Sequence, residues 1–68
     1  MDNIRCNIYR ENLDTSPLVT KYLPIPLIPK VNEWIYVSTE MGDIRGFTVV
    51  ELIKVFTEED FYLKIYIR

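Results

Sequence analysis

Residues 23–37 read Leu-Pro-Ile-Pro-Leu-Ile-Pro-Lys-Val-Asn-Glu-Trp-Ile-Tyr-Val, and the rest of the chain is arranged around them. Three of the four prolines fall between positions 24 and 29, and each removes a backbone N–H that a central strand needs. We therefore expect residues 24–29 to be extended and to lie at a sheet edge or at the corner of a small β-barrel. Ile25, Leu27 and Ile28 are expected to contribute to the core.

A turn and a strand follow the prolines. Asn32-Glu33 predicts a tight turn, because asparagine is one of the few non-glycine residues that tolerate a positive φ. The next five residues, 34–38, are typical of a strand, whose side chains alternate between two faces. Ile35 and Val37 form one face, and Trp34 and Tyr36 form the other.

Alternation of apolar and polar residues predicts further strands on both sides. Residues 4–10 place Ile4, Cys6 and Ile8 on one face, and residues 18–23 are expected to pair back on them as a hairpin. Residues 61–68 alternate throughout, with one apolar face (Phe61, Leu63, Ile65, Ile67) and one mixed face (Tyr62, Lys64, Tyr66, Arg68). Segments 11–17, 40–43 and 57–60 have the composition of turns and loops.

Residues 44–56 allow two interpretations. As a helix, residues 48–56 would place one apolar stripe on a single side. As a strand, the run contains β-branched residues that are stiff at χ1 and favour pleated sheet, namely Thr48, Val49, Val50, Ile53 and Val55. We favour a strand that bends near Gly46 or Glu51, with a short helix at 48–56 as the alternative.

Sixty-eight residues form one domain, residues 1–68, near the lower size limit for folding alone. Five strands joined by short turns predict an all-β fold, a strongly bent antiparallel sheet that closes into a small barrel. The alternative is an α+β fold, an antiparallel sheet with a short helix at 48–56. Because 49% of the residues are hydrophobic, we expect apolar surface that a second copy or a partner could cover.

Charge and cysteine content limit the function classes and cellular locations that fit the chain. The net charge is −2, and the eight basic residues are scattered singly rather than clustered as in most nucleic-acid-binding proteins. A single cysteine cannot form an intramolecular disulfide, which fits a reducing compartment. No apolar run approaches the roughly 18 residues of a membrane span, and the first residues do not resemble a signal peptide. We expect a cytoplasmic protein without a membrane partner.

Three segments together resemble a known class of protein. They are Pro29-Lys-Val-Asn-Glu-Trp-Ile-Tyr-Val37, Phe47-Thr-Val-Val-Glu-Leu-Ile53 and Tyr62-Leu-Lys-Ile-Tyr-Ile67, separated by a glycine turn and an acidic turn. Over about residues 24–68 this order resembles small SH3-like β-barrel proteins, many of them from bacterial phages and mobile elements. Their usual pattern opens the strand with Val-Gly-Glu, where this chain has Asn32 in place of the glycine. The resemblance implies a five-stranded SH3-like antiparallel barrel and carries over no catalytic residue.

Residue types that commonly carry catalysis are missing or poorly placed. Without histidine the chain has no Ser–His or Cys–His nucleophile pair and lacks the commonest metal ligand. Two glycines cannot supply a glycine-rich phosphate loop, and the adjacent carboxylates at 58–60 lack the spacing of a calcium loop. Cys6 lies on the apolar face of its strand and is expected to be a core thiol. We expect no enzyme activity, no cofactor and no metal site.

The aromatic residues give the best indication of function. If the apolar faces of residues 34–38 and 61–68 point inward, the opposite faces carry aromatic and basic side chains, which are common at binding hot spots. The candidate binding residues are Trp34, Tyr36, Tyr62 and Tyr66, with Arg45 and Arg68 nearby. Packing of these rings beneath loops is the alternative, and the sequence does not decide between the two.

Two functions could use such a surface. The first is a protein–protein contact, including self-association as a homodimer, in an accessory protein of a phage or mobile element that inhibits its target by occupying a site. The second is nucleotide or single-stranded nucleic-acid binding, with aromatic rings stacked on bases and basic residues at phosphates. We favour the first, a small non-catalytic binding protein.

Overall fold

The computed structural model describes residues 3–12, 16–38 and 41–68. It contains five strands: β1 (Ile4–Arg10), β2 (Val19–Leu23), β3 (Trp34–Ser38), β4 (Ile44–Phe56) and β5 (Phe61–Ile67). A single 3₁₀ turn, Ile25–Leu27, is the only helical element among the described residues. None of them forms a helix with the length and apolarity that crossing a membrane requires. The all-β prediction is confirmed, and the loop at 11–17 and the turn at 40–43 lie partly outside the described residues.

The strands form one curled sheet in the order β2-β1-β5-β4-β3. The predicted β1–β2 hairpin is present, and β4 pairs antiparallel with both β3 and β5. One pair differs from the antiparallel prediction, since β1 and β5 run parallel. Each connection reverses the chain, so the odd-numbered strands all run the same way and β5 meets β1 in parallel. The result is a half-barrel, consistent with a small SH3-like β-barrel.

Strand β4 curls the sheet. Its first part pairs with β3 and its second part with β5, and the register with β5 shifts between Val49 and Glu51. The extra residue, Val50, makes a β-bulge, which bends a strand and increases its twist. The bulge also changes which residues face the core, from Val49 before it to Leu52 after it. The predicted bend near Glu51 is confirmed, and the alternative helix at 48–56 is wrong.

The proline-rich stretch forms the corner between β2 and β3, as predicted, but it is not extended. The Leu27 N–H donates to the Pro24 carbonyl at 2.9 Å, and the Ile28 N–H donates to the Ile25 carbonyl at 3.1 Å. The fixed φ of proline suits this 3₁₀ turn, and Pro26 needs no donor within it. Ile25 and Leu27 are therefore exposed, and of the three predicted core residues only Ile28 packs against the core.

A tight turn then starts β3. Asn32 has a φ of 76°, which confirms the predicted left-handed conformation. The Glu33 N–H donates to the Lys30 carbonyl at 3.0 Å, and the Lys30 N–H donates to the Glu33 Oε1 atom at 2.8 Å. These two bonds close the turn from both sides and fix the direction in which the chain enters β3.

The core lies on the concave face of the half-barrel. Its buried residues are Cys6, Ile8, Val37, Phe47, Val49, Leu63, Ile65 and Ile67. The predicted inward face of β5 is confirmed, with Phe61 half-buried at the end of the strand. Cys6 is fully buried, as expected of a core thiol, and this burial raises the pKa of its thiol.

Candidate binding surface

Trp34 and Tyr36 lie on the outer face of β3, at the open edge of the sheet. Trp34 is 59% exposed and Tyr36 is 71% exposed. Their rings meet edge to face, with centroids 6.1 Å apart and planes at 88°. Val37 is buried and Ile35 packs against the core, so the predicted division of this strand is confirmed. Both rings are accessible to a partner.

The indole of Trp34 rests on Gly46 of β4. Gly46 is directly opposite Tyr36, and Trp34 is opposite Thr48, so the indole reaches diagonally across the strand pair. A β-carbon built on Gly46 would collide with the Cζ2 atom of the indole. The missing side chain of Gly46 therefore leaves the space that the ring occupies over β4.

Ile44 extends the apolar surface beyond the two rings. It is directly opposite Ser38, and cross-strand partners share a face, so it lies on the same side as Tyr36. Ile44 is 71% exposed. We define the β3 outer patch as Trp34, Tyr36 and Ile44. This exposed apolar patch is the candidate contact surface of the protein.

The structure separates Arg45 from this patch, although the sequence placed it nearby. Arg45 is directly opposite Val37, which points into the core, so Arg45 lies on the other face of the β3–β4 pair. Arg45 shares its face of β4 with the buried residues Phe47 and Val49, which lie two and four positions after it. This spacing could have been read from the sequence. It is exposed at the far end of the pair.

Arg68 shares a face with Trp34 but lies two strands away. Arg68 and Thr48 exchange two backbone hydrogen bonds of 2.9 and 3.0 Å, and Thr48 is opposite Trp34. The side chain of Arg68 pairs with Glu11, with Nη2 3.1 Å from Oε2. The Arg68 guanidinium therefore lies beside Glu11 rather than beside the β3 outer patch.

Tyr66 belongs to a second aromatic group on the outer face of the β1–β5 pair. It stacks on Tyr9, its direct partner across the strands, with centroids 5.4 Å apart. The Lys64 ammonium lies 5.2 Å from the centre of the Tyr9 ring and 5.7 Å from that of Tyr66. Tyr9 was missed by the sequence reasoning, although the alternation of β1 places its side chain on the same face as Arg5 and Asn7. Because Tyr9 is buried and Tyr66 is half-buried, this group is largely packed.

Tyr62 is held in a similar way at the other end of the same face. The Arg5 guanidinium lies over its ring at 4.6 Å and pairs with Asp60, with Nη2 3.0 Å from Oδ2. Tyr62 is half-buried. The structure therefore does not bring the six candidate residues together, and among them only Trp34 and Tyr36 form an aromatic pair that is open to solvent.

The acidic and cysteine side chains of the described residues form no metal-binding cluster and no activated thiol. Among residues 3–12, 16–38 and 41–68, no group of three or more cysteine or acidic side chains is arranged to hold a metal ion. The raised pKa of the Cys6 thiol, caused by burial, opposes formation of a nucleophilic thiolate. Apolar contact and free strand edges are what this surface can offer.

Compared with known proteins, the chain matches no family model, no curated protein and no solved structure. The geometry of the chain itself therefore carries the functional argument.

Proposed function

We propose that this protein is non-catalytic and acts by binding another protein through the β3 outer patch. The observation that carries the proposal is the edge-to-face pair of Trp34 and Tyr36, both more than half exposed on an edge strand. Tryptophan and tyrosine are the side chains most often found at the energetic centre of protein interfaces. Tyr9, by contrast, is buried and contributes to packing within the sheet.

The gross free energy available from this pair is sizeable. Covering the exposed parts of the two rings would contribute on the order of 5 kcal/mol. Association costs at least about 4 kcal/mol in lost translational and rotational freedom. Two rings alone therefore give weak binding, and Ile44 and the backbone of the β3 edge must add to the contact.

Nucleotide or nucleic-acid binding is the less favoured function. Stacking on Trp34 would need a nearby cation to meet phosphate. Arg45 lies on the opposite face, and Arg68 is paired with Glu11. Ile44 lies exposed on the same face as the two rings, and this apolar neighbour fits a protein partner better.

The location and origin that we propose rest on the composition of the chain and on its resemblance to small SH3-like β-barrel proteins. We place the protein in the cytoplasm as an accessory protein of a phage or mobile element that occupies a site on a host factor. A second copy of the chain is also a protein partner, and a homodimer through the β3 outer patch belongs to the same proposal. Measurement of the mass in solution separates these two cases.

A binding experiment with three forms of the chain tests the proposal. Wild type, Trp34→Ala and Tyr22→Ala are compared in pull-down from the producing cells and in sedimentation at 0.15 and 0.5 M salt. Tyr22 is the matched control, an aromatic residue 62% exposed on β2. We expect Trp34→Ala to lose the partner or the dimer, Tyr22→Ala to keep it, and salt to have little effect. A partner retained by Trp34→Ala, or a monomer that captures nothing, contradicts the proposal.

A further inference from the structure

The half-barrel has two free edges with a cleft between them. Strands β2 and β3 end the sheet, and each has one neighbouring strand among the described residues. A cleft of about 340 Å³ opens between them. Its walls are mainly apolar, with Val19 and Leu23 from β2, Ile35 and Val37 from β3, and Leu27 from the corner. Glu33 also lines the cleft, and its Oε1 atom accepts the Lys30 N–H in the turn at 2.8 Å. The volume is within the range of ligand sites in proteins.

The hydrogen-bond pattern shows which backbone groups of β3 are free. The Val49 N–H donates to the Glu33 carbonyl at 2.9 Å, which starts the antiparallel ladder with β4. Bonded positions alternate in such a ladder, so Ile35 and Val37 direct their backbone groups toward β4. The hydrogen bonds of Thr48 fit this pattern, because its N–H and carbonyl point away from β3 and bond to Arg68. The backbone groups of Trp34, Tyr36 and Ser38 therefore point to the open edge.

The residues lining the cleft show how a ligand would lie in it. Four consecutive residues of β3, Ile35 to Ser38, line the cleft, although their side chains alternate between faces. The cleft therefore follows the edge of β3 rather than one of its faces. From β2, by contrast, only alternate residues contribute, namely Val19, Lys21 and Leu23. A ligand in the cleft lies along the β3 edge and meets one face of β2.

Lys21 places a positive charge in this apolar wall. It is directly opposite Cys6, so it lies on the concave face of the sheet. It makes no ion pair with any residue that the structure describes. A partner's carboxylate in the cleft would meet Lys21 as a charge-assisted hydrogen bond.

We propose that the cleft binds an extended segment of a partner protein, which adds as a strand to the free edge of β3. Backbone bonds to Trp34, Tyr36 and Ser38 hold the segment, as in other cases of strand addition. Its alternate side chains face Val19, Lys21 and Leu23, which selects an apolar, then an acidic, then an apolar residue at every second position. The added strand would be the part of the partner that this protein recognises. The proposal rests on the proposed function, since β3 also carries the β3 outer patch.

Charge complementarity favours a different protein over a second copy in the cleft. A second copy would offer its own free edges, β2 or β3. Strand β2 reads Val-Thr-Lys-Tyr-Leu and would bring a second Lys21 against the first. Strand β3 reads Trp-Ile-Tyr-Val-Ser and contains no acidic residue. Neither strand contains a carboxylate, and Glu33, which directly precedes β3, is held in the turn by its bond to the Lys30 N–H.

Selection from a displayed library of random 12-residue peptides on the immobilised full chain tests this proposal. We expect wild type to enrich peptides with an acidic residue flanked two positions away on each side by apolar residues. The Lys21→Glu variant should enrich lysine or arginine there instead, and should bind the wild-type peptides roughly tenfold or more weakly. The control is Lys54→Glu, which lies on the same face but does not line the cleft. It should select as wild type does.

Hydrogen exchange of the complex with an enriched synthetic peptide supplies the second measurement. The amides of Trp34, Tyr36 and Ser38 should exchange roughly tenfold or more slowly once they are bonded to the added strand. No enriched peptide, peptides indifferent to Lys21→Glu, or binding of a small apolar anion such as laurate without slower β3 exchange overturns the proposal. If Trp34→Ala abolishes partner binding while these results are negative, the proposed function stands and the added strand does not. If the selection reverses with Lys21→Glu while Trp34→Ala keeps the partner, the added strand stands and the role of the β3 outer patch falls.

Discussion

The indole of Trp34 lies across Gly46, in the space that a side chain on β4 would fill. We expect Gly46→Ala to displace the ring and to weaken partner binding, while the chain still folds. The stability cost should be about 1 kcal/mol, because the atoms in the way belong to the far end of a side chain that can move. Trp34 is the only tryptophan, so its fluorescence emission reports the displacement directly.

Gly42→Ala is the control for this substitution. Gly42 has a φ of 84°, and no atom lies within 4 Å of where its β-carbon would be. This variant should also lose about 1 kcal/mol, but through backbone strain. Its tryptophan emission and its partner binding should match wild type. Equal emission changes in the two variants would show that Gly46 does not seat the indole.

Asn32 holds the turn before β3 in a left-handed conformation. Its φ of 76° is accessible to asparagine and glycine and is strained for alanine. We expect Asn32→Ala to lower the free energy of unfolding by about 1 kcal/mol, and Asn32→Gly to leave it nearly unchanged. Urea denaturation of the three proteins measures this. A stable Asn32→Ala protein would mean that the turn adopts another conformation.

Local patterns predicted much of this fold from the sequence. The alternation in residues 34–38 and 61–68 gave the correct faces, because a strand with one buried face has a strict period of two. Asn32 and the β-branched run at 48–56 likewise act through local conformational preference. These features depend on residues that are near each other in the chain, which is why the sequence reveals them.

Features that depend on distant contacts were not predicted. The parallel pairing of β1 with β5 joins the two ends of the chain, and no local signal encodes it. The separation of Tyr66 and Tyr62 from Trp34 follows from that pairing, since both tyrosines are held against β1. Lys21 became a candidate only when β2 and β3 were seen to be the two free edges.

Arg5 joins β1 to the loop before β5 and to β5 itself through two weak interactions. Its guanidinium pairs with Asp60 and lies over Tyr62, but its Nε–H is buried without a hydrogen-bond partner among the described residues. The single substitution Arg5→Met therefore removes favourable and unfavourable contributions together. A double-mutant cycle with Asp60→Asn isolates the pair, and asparagine retains an oxygen that can accept the Phe61 N–H, as Asp60 does at 2.7 Å.

We expect this cycle to give a coupling of about 0.5 kcal/mol, since both side chains are more than a third exposed. Raising the salt from 0.05 to 0.5 M should reduce the coupling. Arg5→Met combined with Glu11→Gln is the control, because Glu11 pairs with Arg68 instead. That combination should be additive. Coupling above about 2 kcal/mol would show that the Arg5–Asp60 pair is effectively buried.

Cys6 makes stability depend on alkaline pH. Burial raises the pKa of its thiol above the ordinary value of 9.0, so the folded chain keeps the proton at pH values where the unfolded chain releases it. The contribution of the protonated thiol to the free energy of unfolding is therefore complete below pH 9, and it is lost as the pH rises through the folded-state pKa. We expect wild type to lose stability above pH 9 by up to about 1.4 kcal/mol per pH unit more than Cys6→Ala.

Cys6→Ala keeps every tyrosine and lysine, so the difference between the two pH profiles isolates the thiol. The same burial predicts that a water-soluble disulfide reagent reacts with Cys6 only after the sheet opens, since the residue is 0% exposed. The labelling rate should rise with urea in step with unfolding. Parallel pH profiles, or rapid labelling of the native chain, would place the thiol at the surface and contradict the packing of β1 against β5.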